Sequence, residues 1–293
     1  MSKQRKADLL LVLVTAFWGG SYYLTDLCLK ELPPMWLTAF RFLSAFALLS
    51  LVFFSRVRRV NAITLKYSLL VGLALSGTYI FYGYGISRTS LSNAGFICAL
   101  PVVFTPLLDF LFRRTRPKKK LVFALLLCTV GLALMTLNEQ FRPRSGDLLC
   151  LGVALCYAID LLLTEIAVHQ DGVDPLALGV CQLGVVGVIT LALSLTIETP
   201  VLPQSTGIWA AALFLGIFCT GVAFVIQSVQ QQYTSATHVG LIFTLEPVFS
   251  ATVAFFLAHE RLLPRGYLGS VLMLASLILM ELDWPGKRIK SGG

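Results

Sequence analysis

"VGLIFTLEPVFSATVAFFLA", residues Val239–Ala258, is apolar apart from small hydroxyl residues and one Glu-Pro pair. Wound as a helix at about 1.5 Å per residue, a run of this length spans about 30 Å, the thickness of a bilayer's hydrocarbon core. Similar runs recur at roughly 7–28, 35–54, 65–86, 93–112, 121–137, 147–168, 175–197, 207–229, 237–257 and 266–282, which makes ten candidate spans. The chain is 57% hydrophobic and 13% charged, against about 25% charged in a soluble domain. A membrane barrel needs shorter segments of alternating polarity, and no such period is present. The expectation is an all-α integral membrane protein. The first run is of spanning length, and no small-residue cleavage pattern dominates "CLKELPP" after it, so no cleavable signal peptide is expected.

With ten spans both termini share a side, and the Lys/Arg distribution chooses it. Sixteen lie on the side of the termini, including the "RRTRPKKK" loop, six lie on the other side, and Arg41 lies inside a span. Both termini are therefore expected in the cytoplasm, with the chain in the cell membrane. The same bias accounts for the formal charge of +8 without a nucleic-acid partner. The seven cysteines are scattered without CxxC spacing and read as small buried hydrophobes, so neither a metal site nor a disulfide frame is expected.

Internal repetition divides the chain. "LPPMWLTAFRF" (Leu32–Phe42) answers "VDPLALGVCQL" (Val173–Leu183), with Pro34 and Pro175 each followed seven residues later by a polar residue, Arg41 and Gln182. "CALPVVF" in the fourth run answers "TLEPVFS" in the ninth, pairing Pro101 with Pro247 and Leu100 with Glu246. Five spans per half is an odd number, so the second copy is inverted. Two inverted five-helix repeats, 1–140 and 141–293, can exchange conformations around one central site.

"AFWGGSYYLTDLCLKELPPMWLTAFRFLSAFALL" (Ala16–Leu49) resembles the opening helix pair of the EamA-type drug/metabolite transporters. "TSATHVGLIFTLEPVFSATVAFFLAHERL" (Thr234–Leu262) is similar to the family's last pair of repeat helices, with its Glu-Pro in the ninth span and its His-Glu end. The resemblance covers essentially the whole chain. It implies a ten-helix bundle of two inverted repeats that moves small metabolites, amino acids, nucleobases or toxic organic compounds. The chain departs from the pattern at "FLFRRTR", where an acidic residue is usual, and at "CYAIDLL", where a tryptophan is common and which brings Asp160 into the membrane.

Ionisable residues inside spans cost about 2.5 to 3.5 kcal/mol on insertion scales, so each is a functional candidate. Glu246 is near the middle of the ninth run, and Pro247 should break the helix beside it, as Pro101 should in the fourth. A carboxyl group there can load and release a proton as access alternates; tying two helices together is the competing role. Asp160, flanked by Cys156 and Thr164, faces a small polar stripe. Two acids at this depth favour a cationic or zwitterionic solute, with a helix–helix hydrogen bond the alternative for Asp160.

Trp18, Tyr22 and Asp26 share one helical face. Trp18 and Tyr22 are pocket candidates through cation–π attraction, and Asp26 is expected to pair with Arg41 as a gate or brace. Tyr79 and Tyr82 on the third run, with Phe224 and Gln227 on the eighth, complete a ring-and-amide lining, although such stripes also serve packing.

No HExxH or GxSxG occurs, so an enzyme is not expected. The absence of GxxxxGK[ST] excludes a nucleotide-driven pump within this chain. The reading is a secondary active transporter of an amino acid, amine or related compound, coupled to protons, with a channel as the alternative. No cofactor is expected, and the partners are the solute, protons and the bilayer, with the chain a monomer or homodimer.

Overall fold

The computed structural model describes residues 3–86, 88–89, 96–114, 118–136, 145–257 and 263–281. Among them the regular structure is helical, with no strand. The helices are α1 Lys3–Leu29, α2 Pro34–Val52, α3 Ala62–Ile86, α4 Pro101–Arg113, α5 Lys119–Thr136, α6 Ser145–Val168 and α7 Pro175–Ile197. They continue as α8 Thr206–Gln230, α9 Ala236–Phe243, α10 Glu246–Leu257 and α11 Pro264–Glu281. Seven segments are long and apolar enough to cross a membrane: α1, α2, α3, α6, α7, α8 and the stretch Ala236–Val253. Phe96–Phe112 and Pro264–Met280 are shorter apolar helices.

Prolines set where several helices begin. Pro34 opens α2 and Pro175 opens α7, positions where a missing N–H costs nothing. The orphan donors of α2 are met from α7: the Glu198 carboxylate, just past the end of α7, accepts from Met35 N at 3.0 Å and Trp36 N at 2.8 Å. At the opposite ends of the same two helices, Asp174 caps α7 through Leu176 N at 3.0 Å, and Arg56, beyond α2, donates to it at 3.2 Å. α2 and α7 are thus antiparallel neighbours clipped at both ends.

The remaining packing follows a pattern. α3 lies against α6 and α7, and α8 lies against α1 and α2. α4 packs on α6, whereas α9 and α10 pack on α1. α5 pairs with α11, and α4 with α9. Large side chains such as Leu51, Phe112, Leu148 and Val188 are exposed on the outer surface, where lipid replaces water as solvent. Inside, small residues allow close approach. A Cβ on Gly19 of α1 would stand 2.5 Å from Phe249 Cβ and 2.9 Å from Glu246 O, so α1 and α10 touch at backbone level.

Three helices are not regular. α8 carries a π turn at Ile217–Val222. Two residues, Thr244 and Leu245, separate α9 from α10, and the turn Ala99–Leu100 precedes α4. At both breaks the backbone switches to bonds three residues back, Leu245 N to Ile242 O at 3.0 Å and Leu100 N to Ile97 O at 3.1 Å. Pro101 is then the first residue of α4 and Pro247 the second of α10. Each proline lies in the first turn of a new half-helix, where its ring fits, so the break stands directly before it.

Candidate functional site

The π turn of α8 organises the middle of the bundle. Its wider winding turns backbone and side-chain acceptors away from the regular ladder, as is common at functional positions. Cys219 O accepts from Trp18 Nε1 at 2.8 Å, and Thr220 Oγ1 accepts from Arg41 Nε at 3.1 Å. One turn of α8 therefore holds side chains from both α1 and α2. Trp18 and Arg41 are each 7% exposed.

Around Trp18 the rings close in. Phe243 of α9 is 4.7 Å away between centroids, Phe224 of α8 5.3 Å and Tyr157 of α6 6.1 Å. Phe42 of α2 joins Phe224 at 5.8 Å to Tyr79 of α3 at 4.8 Å. These separations and tilted or edge-on angles are those of favourable aromatic pairs.

Glu246 stands at the first position of α10, directly after the break. The Tyr22 hydroxyl stands beside its carboxylate, within electrostatic reach. Tyr22 lies one turn beyond Trp18 on α1. Tyr79, Tyr82, Tyr157 and Cys98 are also within electrostatic reach of the Glu246 carboxylate. Tyr79, Tyr82, Tyr157 and Glu246 are half-buried, and Tyr22 is 41% exposed. The acid thus faces accessible space walled by phenols.

Asp160 occupies a different layer. It is 1% exposed, and its Oδ2 accepts from Gln227 Nε2 at 3.3 Å. The other end of that amide, Gln227 Oε1, accepts from the Tyr157 hydroxyl at 3.4 Å. Gln231, wholly buried, donates to Leu161 O at 2.9 Å. Tyr157, in electrostatic reach of both acids, links the half-buried Glu246 layer to the buried Asp160 layer.

The expected Asp26–Arg41 pair is not formed. Asp26 is exposed and pairs with Lys30, one turn on, at 3.6 Å. Depth is the reason. Arg41 stands seven residues into α2, about 10 Å below its start, which brings it level with Trp18, whereas Asp26 stays near the end of α1. The other expected residues, Trp18, Tyr22, Tyr79, Tyr82, Phe224, Gln227, Asp160 and Glu246, do converge.

The π turn, Phe42, Tyr157 and Phe243 were not anticipated. Tyr157 had a usable signal, since it precedes Asp160 by three residues on one helical face. A winding change in α8 leaves none beyond the small residues of "CTG". Elsewhere, Glu165 Oε2 accepts from Ala236 N at 2.6 Å and so caps α9. Among the described residues no group of three or more His, Cys, Asp or Glu could hold a metal ion. A cavity of about 270 Å3 lies apart from the site, between Ser55–Thr64 and Gly172–Asp174, with Arg56 held by Asp174.

Known proteins share this architecture. A solved crystal structure superposes with a TM-score of 0.79 over 94% of this chain and 96% of that one, at 16% identity, which speaks for a common fold. A protein of Archaeoglobus fulgidus described as an uncharacterized transporter is 27% identical over 280 residues, covering 96% of this chain and 87% of its own length. A second from that organism, with the same description, is 26% identical over 94% of this chain and 96% of its own length. One from Methanothermobacter thermautotrophicus, also an uncharacterized transporter, is 23% identical over 94% and 86%. The pattern of the EamA-like transporter family matches residues 5–137 and 144–282, nearly the whole sequence, and this helical, multi-pass membrane protein therefore belongs to the EamA-like transporter family.

Proposed function

We propose that the protein is a proton-coupled secondary transporter that moves a small cationic or zwitterionic metabolite, such as an amino acid or amine, across the cell membrane by alternating access. The observation that carries this is Glu246: a half-buried carboxyl at a helix break, beside Tyr22 and facing space among Tyr79, Tyr82 and Tyr157. Acid and rings together recognise a cationic group, and an acid in a membrane interior that meets solvent from one side at a time can carry a proton.

Two features support alternation between two inverted repeats. Exchanging the first five runs with the last five maps the largest packing pairs onto one another: α3 on α6 becomes α8 on α1, α4 on α6 becomes α9 and α10 on α1, and α5 with α11 maps onto itself. Family similarity over 5–137 and 144–282 supports the division into 1–140 and 141–293. Second, the half nearer the N-terminus is sealed. Asp160, Gln227, Gln231 and His238 are buried there, while Tyr22 and Tyr23 are exposed toward the other end. A sealed layer below an accessible one favours a transporter over an open pore. The Lys/Arg bias supports cytoplasmic termini.

Purified protein in liposomes provides the test. Solute-loaded vesicles should show saturable counterflow, and an imposed pH gradient should drive net uptake. Flux that neither saturates nor shows counterflow would identify a channel instead.

A further inference from the structure

Arg41 is a buried cation that meets no counter-charge among the described residues. It is 7% exposed, its Nε is held by the neutral hydroxyl of Thr220 at 3.1 Å, and among the described residues no carboxylate forms an ion pair with it. Buried charges are ordinarily paired, because removing an ion from water without a partner is costly. Glu31, the acid nearest in sequence, accepts from Gln204 N at 3.0 Å, and Asp26 is engaged at the surface by Lys30.

Position says where the missing partner belongs. Thr220 and its neighbour Cys219 form the π turn that also holds Trp18, so the guanidinium sits beside the ring cluster. Tyr79 and Tyr82 are each within electrostatic reach of both Arg41 and Glu246. The two charges thus stand around the same pair of tyrosines without forming a salt bridge with one another. An anion alone would be repelled by Glu246, and a simple amine would leave Arg41 unmet. A molecule with both charges answers both.

We infer that Arg41 anchors a carboxylate of the transported solute, so that the site takes a zwitterion with its ammonium at Glu246 and its carboxylate at Arg41. A planar guanidinium presents paired N–H donors matched to a carboxylate, which an ammonium would not. Trp18, Phe42, Phe224 and Phe243 offer the remainder of the molecule an apolar, ring-rich wall. This rests on the transporter reading above and narrows its solute class.

The test compares proteinogenic L-amino acids with apolar side chains, their decarboxylated amines and their deaminated acids, by counterflow in liposomes and by thermal shift of the purified protein. The amino acids should bind best, with the amine or the acid weaker by roughly 10- to 150-fold, the range for losing one hydrogen bond to a charged group. Arg41→Gln should bring each amino acid down to the level of its amine and leave the amine unchanged. Glu246→Gln should do the converse for the acid. Arg41→Lys keeps the charge, and partial retention by it separates a lost anchor from a misfolded protein.

The wild-type comparison needs no variant. If amine and amino acid bind equally, or if only neutral solutes move saturably, the inference is overturned while the transporter stands. If no solute of any class shows saturable flux, the transporter reading falls and takes the inference with it.

Discussion

Gly19 and Gly20 are adjacent in α1, and the structure assigns alanine opposite effects at the two. A methyl on Gly19 would stand 2.5 Å from Phe249 Cβ, 2.8 Å from Ser250 N and 2.9 Å from Glu246 O. Carbon atoms pack at about 3.5–4.0 Å, so at least ~1 Å of relief is needed, and none of these atoms is the end of a flexible side chain. Overpacking of this kind costs about 1–3 kcal/mol. The better helix propensity of alanine returns up to ~1 kcal/mol, leaving a net loss of about 2 kcal/mol at the severe end. On Gly20 the nearest atom is Val253 Cγ2 at 3.9 Å, an ordinary contact. There only the propensity gain remains.

Functional consequences should track the same contact. Separating α1 from α10 moves Tyr22 away from Glu246, its neighbour across those two helices. Gly19→Ala should therefore lower the thermal midpoint by several degrees in detergent and weaken solute counterflow, while Gly20→Ala should hold or raise the midpoint and transport normally. Tryptophan-fluorescence melts and liposome flux on the two variants side by side decide it. Equal shifts for both, or an undisturbed Gly19→Ala, would refute the close approach and the geometry of the site built on it.

Glu246→Gln should abolish uptake driven by a pH gradient while solute counterflow, which needs no net proton movement, persists in part; gradient-driven uptake at the wild-type rate would remove Glu246 from coupling. Trp18→Phe keeps a ring but leaves Cys219 O without its donor, at a cost of about 1–3 kcal/mol, readable as a lower thermal midpoint. Asp26→Asn breaks only an exposed pair with Lys30, and transport and stability should be unchanged. The Cys98 and Cys150 side chains pack against each other, so copper–phenanthroline, as oxidant, should take two electrons and two protons from their thiols, form one disulfide and remove two of the seven alkylatable thiols; Cys150→Ser should prevent this.

The seven spanning segments were legible because a hydrocarbon core demands long apolar helices that satisfy their own backbone. The starts of α2 and α7 were legible for a related reason: Pro34 and Pro175 fit the first turn of a helix. What could not be read was which partner each buried charge takes. Arg41 and Asp26 looked like neighbours because both belong to the first helix pair. Their pairing depends on relative depth to within a turn, and a local Lys30 four residues away from Asp26 competes at no loop-closure cost. Likewise Pro247 predicted a disturbance, but whether a helix bends or ends there depends on what packs at the break, and Gly19 lets α1 press on it.

The π turn carries the argument further than any single charge. It is the one place in α8 where α1 and α2 are held together by polar bonds, Trp18 to Cys219 O and Arg41 to Thr220 Oγ1. If α8 rewinds from π to regular α there, the carbonyl and the hydroxyl rotate together, and both anchors must shift at once. Trp18 carries Tyr22 one turn along the same helix, and Tyr22 stands beside Glu246. On the transporter reading proposed above, a local change of winding would reach both ends of a bound zwitterion, while the Asp160–Gln227 layer stays buried. Rewinding such a turn would supply the second discrete arrangement that alternating access requires.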